Sequence, residues 1–251
     1  MRSLLLSVIC CAGAFAQQAK PSPAIVQTHV LKAPEAHQAA CVDERFVYAI
    51  ESTVIAKYDR ASGDRISIST GEAKHLNSGF IWEGKVYCAH SNYPRKPEKS
   101  EIMVLDPDTM VLSPFKNFGE YRGSLTWVVR DGDAWWCNFA QYGADNAKTV
   151  LVKLDAEWRE LGAWTYPDSV VKDLGQYSIS GGVWREGLLL ATGHDHKRIY
   201  RLRLPKSGSV LELIDKVPSP FPGQGIAIDP KTGGLVGIDR ARQQIVFAEL
   251  R

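Results

Sequence analysis

Short apolar runs separated by turn residues recur along the chain. "IAKYDRASGDRI" (Ile55 to Ile66), "IMVLDPDTMVL" (Ile102 to Leu112), "LVKLDAEWREL" (Leu151 to Leu161) and "IYRLRLPKSGSVLEL" (Ile199 to Leu213) line up with one another. Each reads as a strand, a turn rich in Asp, Pro, Gly or Ser, and a second strand. Asp59, Asp106 and Asp155 hold equivalent places, just under 50 residues apart. Each of these hairpins follows another one, in "CVDERFVYAI", "IWEGKVYCAH", "VVRDGDAWWCNF", "VWREGLLLATG" and "AIDPKTGGLVGID". Asp-Glu, Glu-Gly, Asp-Gly and the longer Pro-Lys-Thr-Gly-Gly are hairpin turns when apolar or alternating runs flank them. No stretch of 12 residues carries a clean helical period.

A four-stranded unit repeated every 40 to 50 residues is the pattern of a β-propeller blade. The expected fold class is therefore all-β, a five-bladed propeller in one domain over residues 17–251. The blades span roughly residues 35–70, 71–118, 119–166, 167–217 and 218–251. The fifth unit holds three strands, "GIAID", "LVGID" and "IVFAEL", before the sequence ends at Arg251. "IVQTHVLKAP" (Ile25 to Pro34) resembles the outer strands of the other blades and is expected to complete the fifth. Such a closure removes two open sheet edges.

The N-terminus changes the picture of where this fold works. Arg2, an apolar run from Leu4 to Ala14, and Ala14-Phe15-Ala16 have the order of a cleavable export signal, with cleavage expected after Ala16. The expected location is secreted or periplasmic. The remainder keeps Cys41, Cys88 and Cys137, an odd number that suits buried small side chains better than a disulfide framework. The formal net charge is +2, with no basic run and no acidic tail. Nucleic acid and membrane surfaces are not the expected partners. A monomer that takes a small molecule or glycan is.

Polar residues gather where inner strands begin. Aligning "HQAACVD", "NSGFIWE", "GSLTWVV", "ISGGVWR" and "GQGIAID" puts Gln38, Ser78, Ser124, Ser180 and Gln224 at one position, with Asn77 just before Ser78. The second strands end near Glu51, His90, Asn138, the run His194-Asp195-His196, and Asp239. Both sets should reach the same mouth of the central channel. His37, His75, His90, His194 and His196 all fall there, leaving only His29 on the closing strand. Three readings follow. His194, His196 and His90 could hold a divalent metal. A histidine could act as acid or base with Asp195, Glu51 or Asp239. Or these side chains only satisfy the polar mouth of the channel. Most tryptophans lie within strands and read as core, while Trp164 and Tyr166 precede the connection Pro167 to Gln176 and could border a sugar-binding groove.

The blade pattern "HQAACVD…VYAI…IAKYDRASGDRI", with "GQGIAID" at the last inner strand, resembles secreted bacterial propellers of the NHL and lactonase-like superfamily. It also resembles the five-bladed glutaminyl cyclotransferase propellers. The second resemblance implies a Gln-Gly or Glu-Gly pair at inner-strand starts, and Gln224-Gly225 has that form. Gln38 is followed by Ala39 instead, and three blades carry Ser. "NFGEYRGSLTW" is similar to that family's Phe-Gly-Glu-Gly, with Tyr121 in place of the last glycine. The first resemblance implies a Glu/Asn/Asp metal site in six-bladed members, which Glu51, Asn138 and Asp239 could imitate. The function expected is binding of a small polar ligand (sugar, lactone or peptide-like) at the channel mouth. The alternative is a metal-assisted hydrolase or lactonase, or a cyclotransferase-like enzyme.

Overall fold

The computed structural model describes residues 24–251. The expected export signal over residues 1–16 lies outside the described residues. Five antiparallel four-stranded sheets make five blades. The first holds β2 (Ala39–Val42), β3 (Phe46–Ile50), β4 (Ile55–Asp59) and β5 (Arg65–Ile68), in that order from the axis outward. The second holds β6 (Leu76–Trp82), β7 (Lys85–Ser91), β8 (Ser100–Asp106) and β9 (Val111–Gly119). The third runs β10 (Ser124–Asp131), β11 (Ala134–Ala140), β12 (Val150–Leu154) and β13 (Glu160–Thr165). The fourth runs β14 (Gly181–Arg185), β15 (Leu188–Thr192), β16 (Arg198–Arg203) and β17 (Glu212–Pro218).

The fifth blade is composite. β18 (Ala227–Ile228), β19 (Leu235–Asp239) and β20 (Gln244–Leu250) are completed by β1 (Ile25–Lys32) on the outside. β1 pairs antiparallel with β20 from Ile25 opposite Leu250 to Lys32 opposite Gln244. The seam between this blade and the first is apolar, with Leu31, Ala40, Val42, Val47, Val236, Ile238 and Phe247 in one cluster. It is also clamped by charge. The Arg60 guanidinium of blade one lies 2.6 Å from the buried Asp229 carboxylate of blade five.

Burial falls from axis to rim. Every residue of β2 is buried, whereas β5 exposes Ile66 and Ile68. The repeated aspartates are turn makers. Asp59 Oδ1 accepts the backbone N–H groups of Ala61 and Ser62 at 2.9 Å, and Asp106 Oδ1 those of Asp108 and Thr109 at 3.0 Å. Asp155 Oδ1 accepts those of Glu157 and Arg159. This is the Asx-turn use of a short carboxylate.

Cys41, Cys88 and Cys137 are free and buried in strands, as expected, and burial pushes the Cys88 thiol up to about 12. Trp127 and Trp135 are likewise core. A Cβ at Gly182 would meet the Trp127 indole at 2.6 Å, so a bare backbone lets the third blade's ring lie against the fourth blade. The structure departs from the sequence reading at the connection after Tyr166. A two-turn helix, α1 (Asp168–Leu174), forms there and buries Val170 and Leu174. Seven residues are too few for a helical period to show.

Closure through β1 predicts that Leu31→Ala, which empties a 5 % exposed position in the seam, costs about 2–4 kcal/mol. Ile214→Ala, at a 41 % exposed outer position, should cost under about 1 kcal/mol. Urea unfolding midpoints of the two variants check both.

Candidate functional site

One polar pit opens where the inner strands begin. Its lining comes from every blade: Gln38 from the first; His75, Asn77 and Tyr93 from the second; Thr126 and Tyr142 from the third; Tyr177, Ser178, Ser180 and His194 from the fourth; Gln224 and Arg240 from the fifth. The cavity is about 80 Å³. Among the described residues no carboxylate lines it.

Most of the lining is held in place by its own hydrogen bonds. Gln38 Nε2 donates to Ser52 Oγ at 3.1 Å, and Asn77 Nδ2 to the Leu125 carbonyl at 2.9 Å. Thr126 Oγ1 donates to the Ile179 carbonyl at 2.7 Å. His194 stacks on Tyr177, with ring centroids 3.8 Å apart and planes 12° from parallel. Its Nδ1 lies 2.8 Å from Asp195 Oδ1, which also accepts from Arg240 at 3.0 Å. Nδ1–H therefore faces the carboxylate, and Nε2 is left to face Arg240 Nη1 at 3.3 Å. Burial lowers the His194 pKa, Asp195 opposes that shift, and Arg240 reinforces it.

The hydroxyls of Tyr93, Tyr142 and Tyr177 make no hydrogen bond among the described residues, and two further side chains lack one. Gln224 is 6 % exposed, yet its side-chain amide makes no hydrogen bond to the described residues. Its backbone sits at φ +65°, a left-handed conformation that costs a side-chain-bearing residue. The backbone around it is fixed. Its N–H donates to the Gly193 carbonyl at 2.9 Å, and its carbonyl accepts from Thr192 Oγ1 at 2.6 Å. The next residue must be glycine, since a Cβ at Gly225 would lie 2.5 Å from the Ala39 Cβ. His75 is the second. Its ring packs 5.2 Å from the Tyr93 ring and has no hydrogen bond among the described residues. Burial, with His90 as a lesser cause, lowers its pKa, while Glu51 acts the other way.

The remaining sequence candidates fall elsewhere. His90 lines a lateral groove instead, accepting the Lys74 N–H at its Nε2 (2.8 Å) with Nδ1 2.9 Å from Glu101. His196 is exposed beyond the turn. Residues 194 and 195 are a bend, so His194 and His196 do not share the side of an extended strand. Among the described residues no three His, Cys, Asp or Glu side chains are arranged to hold a metal ion. The set His90, His194 and His196 is thus not assembled, and the donors do not fit a metal centre. Nor do Glu51, Asn138 and Asp239 converge. Glu51 accepts the N–H and hydroxyl of Thr53, and Asp239 accepts the Arg242 N–H. Asn138 is fully buried between blades, donating to Thr126 and the Ile179 carbonyl and accepting from Tyr166. Tyr166 is accordingly a core residue rather than a groove wall. Ser78 and Ser124 are buried in the channel below the pit, and His37 lies in the turn before β2 without lining it. Asp195 is exposed at the rim and braces His194.

Sequence reasoning missed Tyr93, Thr126, Tyr142, Tyr177, Ser178 and Arg240. Arg240 directly follows the second-strand end at Asp239, a signal that the alignment of strand ends could have used. The tyrosines sit on connections between strands, where nothing in the pattern states which way a ring points.

No family model and no curated protein sequence matches the chain. Solved structures do. The chain is similar to the glutaminyl cyclase of Myxococcus xanthus, at 10 % identity and a TM-score of 0.62, covering 91 % of this chain and 97 % of that one. It is also similar to a luciferin-regenerating enzyme, at 12 % identity and a TM-score of 0.49, covering 91 % and 95 %. The first likeness establishes a shared propeller fold.

Half-buried His75 and His194, together with buried His90, set a pH dependence. His75 and His194 have folded pKa values below 6.5, so the unfolded chain takes up more protons as the pH falls through that value. Stability should be full above pH 6.5 and decline below it. His75→Gln should flatten the decline, as read from urea midpoints taken between about pH 7.5 and 5.

Proposed function

We propose that this propeller binds a small polar ligand end-on in the pit at its channel mouth. Gln224 carries the reading. A glutamine at positive φ is costly. That strain sits on a residue of a pit lined by every blade, and its side-chain amide has no protein partner there and is open to solvent. A ligand can take the place of water on that amide. Arg240, the tyrosine hydroxyls and Gln38 supply further polar groups around it. About 80 Å³ holds roughly three waters, so the pit takes one end of a molecule rather than the whole of it. An amide, a lactone carbonyl or a sugar hydroxyl pair has suitable size and chemistry. An N-terminal segment with the order of an export signal supports an encounter outside the cytoplasm.

A second reading adds catalysis to the same pit, and His75 favours it. A neutral, unpartnered imidazole is a proton acceptor. The fold neighbour from Myxococcus xanthus is a glutaminyl cyclase. Its kind of reaction would seat a glutaminyl amide beside Gln224. The substrate's amine would attack the amide carbon, ammonia would leave, and His75 would carry the proton between them. The "NFGEYRG" glutamate takes no part in this arrangement, since Glu120 lies on the lateral groove, 3.7 Å from Lys99.

Gln224→Gly separates binding from folding. Glycine accepts the left-handed backbone, so stability should stay within about 1 kcal/mol of the parent. Binding of small amides, lactones and monosaccharides, followed by NMR titration, should weaken at least about tenfold in the variant. Ammonia release from an N-terminal glutaminyl peptide, abolished by His75→Gln, would establish the second reading. If no probe perturbs the pit residues of the parent protein, both readings fail.

A further inference from the structure

The pit does not end at its tyrosines. Tyr93, Tyr142 and Tyr177 line it on one side and line a second cavity of about 460 Å³ on the other. That cleft continues outward between Pro94, Arg95, Lys96 and Glu98 of the second blade and Gly143 and Gln176 of the connections beyond. One wall is an aromatic series. His75 faces Tyr93 at 5.2 Å between centroids, and Tyr93 faces Tyr142 at 5.1 Å. Tyr177, stacked on His194 of the pit, lines the cleft as well.

The connections that carry these rings are tied to each other. The Gly143 N–H donates to the Gln176 carbonyl at 3.0 Å. The buried Asn146 side chain donates to the Gly175 carbonyl at 3.2 Å and to the Tyr177 carbonyl. Thr149 Oγ1 meets Ser178 Oγ at 2.7 Å. The segment with Tyr142 and the segment with Tyr177 therefore move as one unit. A cleft fixed in this way is formed before a ligand arrives.

Charge at the far end is unequal. Lys96 is matched by Glu98 at 3.2 Å. The Arg95 guanidinium has no ion pair and no hydrogen bond among the described residues. Arg95 borders both this cleft and the lateral groove of His90, and a free guanidinium beside an aromatic-walled cleft suits a carboxylate or phosphate, which it can take with two parallel hydrogen bonds.

We propose that the ligand of the mouth is an elongated molecule. Its polar end fills the pit, its planar middle lies against Tyr93, Tyr142 and Tyr177, and its far end is an anion held by Arg95. This inference rests on the pit being a binding site and adds the class of molecule that it takes. Aromatic faces favour a flat or ring-shaped middle section.

Four probes of one shape test it on the full chain by NMR titration: benzamide, 4-carboxybenzamide, 4-phosphonobenzamide and 4-(aminomethyl)benzamide. The amide enters the pit and the para group points along the cleft. The expected result is that one or both anionic probes bind about three- to tenfold more tightly than benzamide. The advantage disappears in Arg95→Gln and shrinks in high salt, while benzamide binds Arg95→Gln as it binds the parent. Gln224→Gly weakens all four. The carboxylate and phosphonate arms tell which anion is preferred. Equal binding of charged and uncharged probes, preference for the aminomethyl probe, or an unchanged anion advantage in Arg95→Gln would overturn the extended site and leave the pit reading standing. If none of the four perturbs the pit residues of the parent, the extension and the pit reading fall together.

Discussion

Ring closure is the constraint on which the rest depends. A propeller's inner strands meet at an axis, and they stay there only if the circle of blades has no gap. Here the last blade is one strand short, and the β1–β20 ladder fills it. The Arg60–Asp229 pair and the apolar seam around Leu31 lock blade one to blade five. Breaking either partner of such a buried pair strands a charge. The geometry of the mouth is inherited from this closure, because Gln38 and Gln224 stand on the two blades that the seam joins.

Crowding at the axis accounts for the site's composition. Ala39, Ser78 and Gly225 pack together just below the pit, and Gly225 has no room for a side chain. Bulk is excluded there, so large groups can enter only from the rim, on the connections between strands. The tyrosines come from those connections, and smaller hydrogen-bonding side chains come from the inner strands and the residues just before them. The result is a narrow polar floor under wide aromatic walls. Gln224 belongs to the floor, held at positive φ by Gly193 and Thr192 on the neighbouring blade. Strain of this kind persists where surrounding structure over-determines it.

Much of the architecture was legible in the sequence, because blades repeat and turns have fixed chemistry. Asp59, Asp106 and Asp155 announce the same turn three times, and the surplus strand "IVQTHVLKAP" fits the one vacancy. Inner-strand starts located Gln38, Ser180 and Gln224, three residues of the pit floor. Second-strand ends were less faithful guides. His90 and His194 hold similar places in their blades, but His90 faces outward between blades and His194 turns inward on a bend. A one-residue change of register reverses the side of a strand, and "HDH" leaves its strand altogether. The aromatic walls left no periodic trace, since the direction of a loop side chain is set by contacts distant in sequence, such as Asn146 with Tyr177.

The composite blade also imposes an order of events in time. Ile25 finds its partner in Leu250, so the earliest of the described strands to be synthesised is among the last to be paired. At about 5–20 residues per second, a ribosome leaves that interval open for roughly ten to forty-five seconds. Throughout it, β1 is a loose strand beside a growing stack of sheets. Its middle, Gln27, Thr28 and His29, is polar and solvent-facing even in the finished fold. A waiting strand of that composition is a poor template for pairing with other chains.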